Sequence, residues 1–171
     1  MCNHEQLRNR LFELLAKRRN YQQEIKNLIN QYQYVVFYGC GIILNRIIDT
    51  WRMYIGREID YCCDRNSEKW GKFFRGIKCI SPQELLEIKD KCALFVTVGD
   101  FKPVFKFLTE CGFPSVNQIY KYDMVTSAFL ANHEHSEIVD KLCQTYGILS
   151  DEQSMKVFDA IINRVFGSGK D

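Results

Sequence analysis

No apolar run in this chain of 171 residues approaches the roughly 20 positions needed to cross a bilayer. The opening residues Met1-Cys2-Asn3-His4-Glu5-Gln6 carry no basic-then-apolar leader, so a cytoplasmic location without membrane contact is expected. Net charge is almost absent. The balance of 23 basic against 21 acidic side chains leaves +2, too little for a broad cationic field that grips a phosphate backbone, and nucleic acid is not an expected partner. Eight cysteines are present but no C-x-x-C pair. They fall mostly in or beside apolar runs, which reads as buried thiols in a reducing compartment and not as a disulfide framework. There is no serine elbow, and all three histidines lie outside the βαβ core, so no cysteine has a plausible histidine near it, which leaves nucleophilic catalysis without candidates. His133 and His135 flank Glu134 but point different ways on a helix, and Cys62 and Cys63 point to opposite faces of a strand, so no metal site is expected. Neither repeats nor low-complexity tracts occur, and 46% hydrophobic with 26% charged residues excludes disordered and collagen-like chains.

What is present points to an α/β fold. Tyr34 to Tyr38 is an apolar strand that runs into Gly39-Cys40-Gly41 and then into a helix over Ile42 to Ile55, the opening of a nucleotide-binding βαβ unit. A second strand, Ile59 to Cys63, ends at Asp64, about 25 positions beyond Gly39 and close to the place of a ribose-binding acid in that unit. Glycine suits the first position because the backbone bends sharply there, and the second because a side chain would keep a diphosphate from the helix N-terminus. The third position of the dinucleotide pattern is Leu44, whose bulk counts against tight NAD-type packing. If a ligand is held, the N–H groups of Cys40 and Gly41 meet phosphate and Asp64 accepts ribose hydroxyls. Arg65, Asn66 or Lys69 then contact a further polar group, and Trp70 either shields a base or packs on the sheet edge. The competing reading is a tight βα turn in which Asp64 only caps the turn that follows.

Further strands are expected at Ile77 to Ile80, Cys92 to Val98 and Val116 to Tyr120, which makes a small Rossmann-like parallel sheet of about five strands. The segment 64–72 reads as a loop. Ser81-Pro82-Gln83-Glu84 carries a capping box that starts a helix, and Asp100 is the expected cap of a helix over Lys102 to Cys111. One helix or a broken pair is expected across Met124 to Tyr146. A last helix opens at Ser150-Asp151-Glu152-Gln153, a second capping box with Ser150 as the cap, and has Val157, Phe158, Ile161, Ile162, Val165 and Phe166 as its apolar face. Residues 4–32 read as one long helix, with Leu7, Leu11, Leu14, Tyr21, Ile25, Leu28 and Tyr32 on a seam that only Arg18 interrupts. That seam packs either on the chain's own helices or against a second copy in a homodimer. The expected organisation is an N-terminal helix at 1–32, a Rossmann-like nucleotide-binding domain at 33–122 and a helical extension at 123–171.

Tyr34-Val35-Val36-Phe37-Tyr38-Gly39-Cys40-Gly41, then Tyr61-Cys62-Cys63-Asp64-Arg65-Asn66-Ser67-Glu68-Lys69-Trp70-Gly71, Gly76-Ile77-Lys78-Cys79-Ile80-Ser81-Pro82-Gln83-Glu84-Leu85 and Ser150-Asp151-Glu152-Gln153-Ser154-Met155-Lys156-Val157-Phe158 stand in this order. Together they resemble the N-terminal, Rossmann-like region found ahead of the catalytic domain in bacterial FkbM-type methyltransferases, from about Leu28 to Phe166. The same pattern is similar to nucleotide-sugar-binding domains of sugar-modifying enzymes. The resemblance implies a non-catalytic module that binds a nucleotide or nucleotide-sugar beside an S-adenosylmethionine-dependent methyltransferase domain acting on a glycan or small acceptor. Its catalytic partner domain is expected to lie outside this chain, since only Gly167-Ser168-Gly169-Lys170-Asp171 follows Phe166. Of the family's positions, Gly39, Gly41 and Asp64 carry over as ligand contacts. Two other readings stay open: an enzyme in its own right that uses NAD or S-adenosylmethionine, and a structural interaction domain with a vestigial pocket.

Overall fold

The computed structural model describes residues 4–17, 21–119, 125, 129–130 and 132–166. The chain divides into two compact units, Tyr21–Val125 and Met1–Asn20 with Thr126–Asp171.

The first unit is the α/β domain. Helix α2 (Tyr21–Ile29) leads into β1 (Tyr34–Tyr38), α3 (Ile42–Tyr54), β2 (Tyr61–Cys63), β3 (Phe73–Phe74), β4 (Ile77–Ile80), α4 (Pro82–Glu87), β5 (Cys92–Val96), α5 (Phe101–Glu110) and β6 (Val116–Gln118). The sheet has the order β3-β4-β2-β1-β5-β6, and every pairing is parallel except β3 with β4. All five expected strands are there. The sixth, Phe73-Phe74, falls just after the expected loop and forms a hairpin through Arg75 and Gly76, both at positive φ (50° and 84°), the backbone of a two-residue turn that matches strand twist. Asp49 on α3 holds that strained arginine through paired contacts of 2.8 and 3.1 Å.

β1 and β5 are apolar along their length because each is covered on both faces. On one face Leu44, Ile47, Ile48 and Trp51 of α3 pack with Phe37 and Phe95, and the Trp51 ring meets Phe37 edge-on at 5.0 Å. The Trp51 indole N–H, which burial would otherwise strand, donates to the Arg57 carbonyl at 2.6 Å. Leu44 is fully buried in this layer. On the other face Val36, Leu94, Val96 and Leu108 form a second layer. The Ser81/Glu84 capping box is present in full, at 3.1 and 2.8 Å. Asp100 does occupy the N-cap position of α5, yet its side chain makes no capping bond.

In the other unit, α1 (His4–Lys17), α6 (His135–Gly147) and α7 (Glu152–Phe166) bury Leu7, Leu11 and Leu15 with Ile138, Val139, Cys143, Ile162 and Phe166. The expected N-terminal helix is helical on both sides of residues 18–20, as α1 and α2, and whether it runs on through 18–20 lies outside the described residues. The buried residues of α1 and α2 belong to different cores, Leu7 and Leu11 in one and Ile25 in the other. One expectation needs correction here, that for the last helix. On α7, Ile162 and Phe166 are buried, but Val157 and Ile161 are about half exposed, so the apolar face is narrower than expected. Asp151, not Ser150, caps that helix by accepting from the Ser154 backbone at 2.8 Å. Most of the expected helix before residue 132 lies outside the described residues. No described helix is long and apolar enough to cross a membrane.

Candidate functional site

The strand order places β1 between β2 and β5, so the connections leave it in opposite directions. In open α/β sheets that divergence opens a crevice beyond the carboxyl ends of the strands. A cavity of about 290 Å³ lies there, lined by Tyr38 and Gly39 after β1, Asp64 and Arg65 after β2, and Val98, Asp100 and Val104 from β5 and α5. Ligand pockets of roughly 300–1,000 Å³ bury most of a drug-sized ligand, so this cavity is sized for one end of a nucleotide and not for an enclosed dinucleotide.

Gly39 makes the bend. Its φ is +109°, and a Cβ there would stand 2.7 Å from Val98 Cγ1 and 3.0 Å from the Thr97 carbonyl oxygen. Its N–H donates to the Cys63 carbonyl at 2.7 Å. From the other side buried Thr97 donates its hydroxyl to the carbonyls of Gly39 (2.8 Å) and Tyr38 (3.1 Å). Gly41 differs: it is the N-cap of α3 with extended φ and ψ of −138° and −157°, and an added Cβ would meet nothing within 4 Å. The first turn of α3 carries no side-chain cap and no acidic residue, which leaves its positive end open to an anion. Gly41→Ala is therefore expected to cost at most about 1 kcal/mol, the loss typical of a poorer N-cap, measured as a small fall in the urea midpoint.

Asp64 is the hub of the crevice. Its Oδ2 accepts from the Cys40 N–H at 2.9 Å and from Lys69 Nζ at 2.7 Å, and its Oδ1 accepts from the Asn66 N–H at 3.0 Å. Lys69 also donates to the Cys40 carbonyl at 2.8 Å. Burial alone would raise the Asp64 pKa, but the Lys69 ammonium and the two amides outweigh it and hold the carboxyl below its usual range. A carboxylate has about four acceptor sites, so three donors leave Asp64 about one for a ligand.

These contacts sort the expected site residues. Gly39, Asp64 and Arg65 line the cavity; Cys40, Gly41 and Asn66 do not. The Cys40 amide, expected to meet phosphate, is already bonded to Asp64. Asn66 points its carboxamide oxygen at the Glu68 N–H and caps a turn at Ser67–Lys69. The Trp70 indole donates to the Asp64 carbonyl at 2.7 Å. Arg65 and Asp100 are exposed, and among the described residues neither side chain has a hydrogen-bond or ion-pair partner. Tyr38, Val98, Asp100 and Val104 were not expected as lining. Burial, reinforced by Cys63, raises the Tyr38 pKa, so the phenol stays protonated at neutral pH. Among the described residues no thiol or imidazole lines the cavity, and His133 and His135 belong to the other unit. Behind the loop, Cys40, Cys62 and Cys79 bring three sulfurs together.

No protein-family model matches the chain, and no curated protein matches it. Among solved structures it is similar to the methyltransferase FkbM from Methylobacillus flagellatus KT, with a TM-score of 0.55 and 14% identity. The match covers 96% of this chain and 49% of that one, so the chain spans about half the length of that protein. The likeness is one of fold: a distant FkbM-like α/β architecture.

Proposed function

We propose that this chain is a non-catalytic binding module for a nucleotide or nucleotide-sugar, working beside an S-adenosylmethionine-dependent methyltransferase domain. The observation that carries the reading is the unpaired Arg65 and Asp100 on either side of β1 in the crevice. An arginine without a carboxylate partner is a ready contact for phosphate, and free carboxylate oxygens suit the hydroxyls of a ribose or hexose. The lining groups favour holding over reacting: Asp64 is kept ionised by its donors and is a poor base, and Tyr38 stays a neutral phenol that can donate or accept a hydrogen bond. In this reading the open N-terminus of α3 takes a second part of the anion, which is why Gly41 has no side chain.

A second reading, an enzyme that binds S-adenosylmethionine in the same crevice, is favoured by the fold shared with a methyltransferase. Thermal melting with nucleotide-sugars, NAD and S-adenosylmethionine distinguishes them. A ligand at 100 times its dissociation constant adds about 2.7 kcal/mol, and at roughly 2–4 °C per kcal/mol that is a shift of several degrees. Nucleotide-sugars are expected to give it, and Arg65→Ala and Gly41→Ala to abolish it while leaving the unliganded midpoint nearly unchanged. A shift with S-adenosylmethionine alone would support the enzyme reading, and no shift with any probe would leave a structural scaffold.

A further inference from the structure

We propose that Cys40, Cys62 and Cys79 form a three-sulfur site for a soft, thiophilic cation, the coordination chemistry shared by Cu(I) and the zinc-group ions. Three separate segments build it. Cys40 sits in the turn after β1, while Cys62 on β2 and Cys79 on β4 are partners in the parallel register. All three are buried on the α3 side of the sheet, at 4%, 0% and 2% exposure. Their sulfurs lie within 4.8 Å of one another, with Cys40 and Cys79 in contact at 3.4 Å. Metal–sulfur bonds of about 2.3 Å set sulfurs roughly 3.8–4.0 Å apart around one ion, so binding changes the sulfur–sulfur separations by no more than about 1 Å. Other buried cysteines lack this arrangement. Cys63 is on the opposite layer with Cys92, and Cys143 is in the other unit.

Packing alone puts cysteines in cores one at a time, as small apolar fillers. Three sulfurs converging from a turn and two neighbouring strands is the donor set that soft ions select. Zinc sites usually complete a tetrahedron; this one offers three sulfurs and favours a three-coordinate ion. The free thiols hold their protons: the Cys62 contact and burial raise Cys40, and burial pushes Cys79 up to about 12. Each sulfur that binds must release a proton to solvent, so affinity rises with pH. The nearest ammonium, Lys69 at 2.8 Å from the Cys40 carbonyl, is paired with the Asp64 carboxylate at 2.7 Å, so the bound cation itself must offset the thiolate charge. Because the Cys40 amide is bonded to Asp64, the ion would also pin the crevice loop.

The full chain, reduced and stripped with chelator under anaerobic conditions, is titrated in parallel with Cu(I) and with Zn(II) or Cd(II). One equivalent is expected to produce a thiolate-to-metal charge-transfer band whose strength at fixed metal increases with pH. Cu(I) binding tightest would identify a three-coordinate site, and Zn(II) or Cd(II) tightest one that recruits a fourth donor; either outcome supports the site. Losing an outer-shell partner of a metal ligand costs about 10–100-fold in affinity, so Cys62→Ala and Cys79→Ala should lose at least that much, while Cys92→Ala and Cys143→Ala keep wild-type binding. X-ray absorption of the metal on the wild-type chain, which needs no variant to fold, should count three sulfurs. No stoichiometric binding of any of these ions, a band unchanged in Cys62→Ala, or fewer than three sulfurs around the metal would overturn the site.

Discussion

Gly39→Ala should destabilise the sheet-bearing unit by about 3 kcal/mol, combining the roughly 1–3 kcal/mol of a backbone held where L-residues rarely go with a similar cost for overpacking. The methyl would have to enter the space of Val98 Cγ1, 2.7 Å away, and of the Thr97 backbone. Val98 could turn aside, but the Thr97 carbonyl could not, because Thr97 N–H and Oγ1 both hold β1's end in place at 2.8 and 3.1 Å from the Tyr38 carbonyl. In urea the midpoint should fall with the slope unchanged, since the surface exposed on unfolding is the same. Gly41→Ala, two positions on, is the internal control: same residue change, open space, small effect. Equal midpoints for the two variants would mean that the turn after Tyr38 does not run as described.

The two glycines show how far local sequence carries. The strand, turn and helix around them were legible because an apolar run, a glycine pair and an i, i+4 stripe are local signals, and the same holds for the Ser81/Glu84 box. Their separate roles were not, since Gly39 is required by Thr97 and Val98, residues 58 and 59 positions away that only β1–β5 pairing brings near. Half of the crevice wall escaped for that reason. One signal was available: β5 is wholly apolar, hence central, and a central strand ending in Gly99-Asp100 places Asp100 at the mouth of the sheet. The cysteines are the converse case. Cys62 and Cys63 do face opposite layers, yet the opposition of neighbours in sequence said nothing of Cys62 meeting Cys40 and Cys79. In the N-terminal stripe, a periodicity continuous across Arg18 concealed a change of core, because spacing records which face is apolar and not what covers it.

Asp64→Ala should cost about 2–3 kcal/mol, the range for hydrogen bonds to a charged group that leave a part-buried donor unsatisfied when cut. The Cys40 N–H is that donor. Lys69 contributes less to the loss, because its side chain is 40% exposed and water screens the broken pair. The effect carries a pH signature. In the unfolded chain the carboxyl titrates near 3.9, and in the folded chain lower, so on acidification protons bind the unfolded state first. The contribution of Asp64 is thus fully present above about pH 5 and declines as pH falls through the folded pKa. Urea midpoints of wild type and Asp64→Ala should differ most near neutral pH and converge in acid. Asp64→Asn, which keeps an acceptor for the Asn66 N–H but brings an NH2 group toward the Cys40 amide or Lys69, should fall between the two at neutral pH and show no convergence of its own with Asp64→Ala. A wild-type advantage that stayed constant into acid would mean that the shape of the side chain, and not its charge, closes the loop between Cys40 and Asn66.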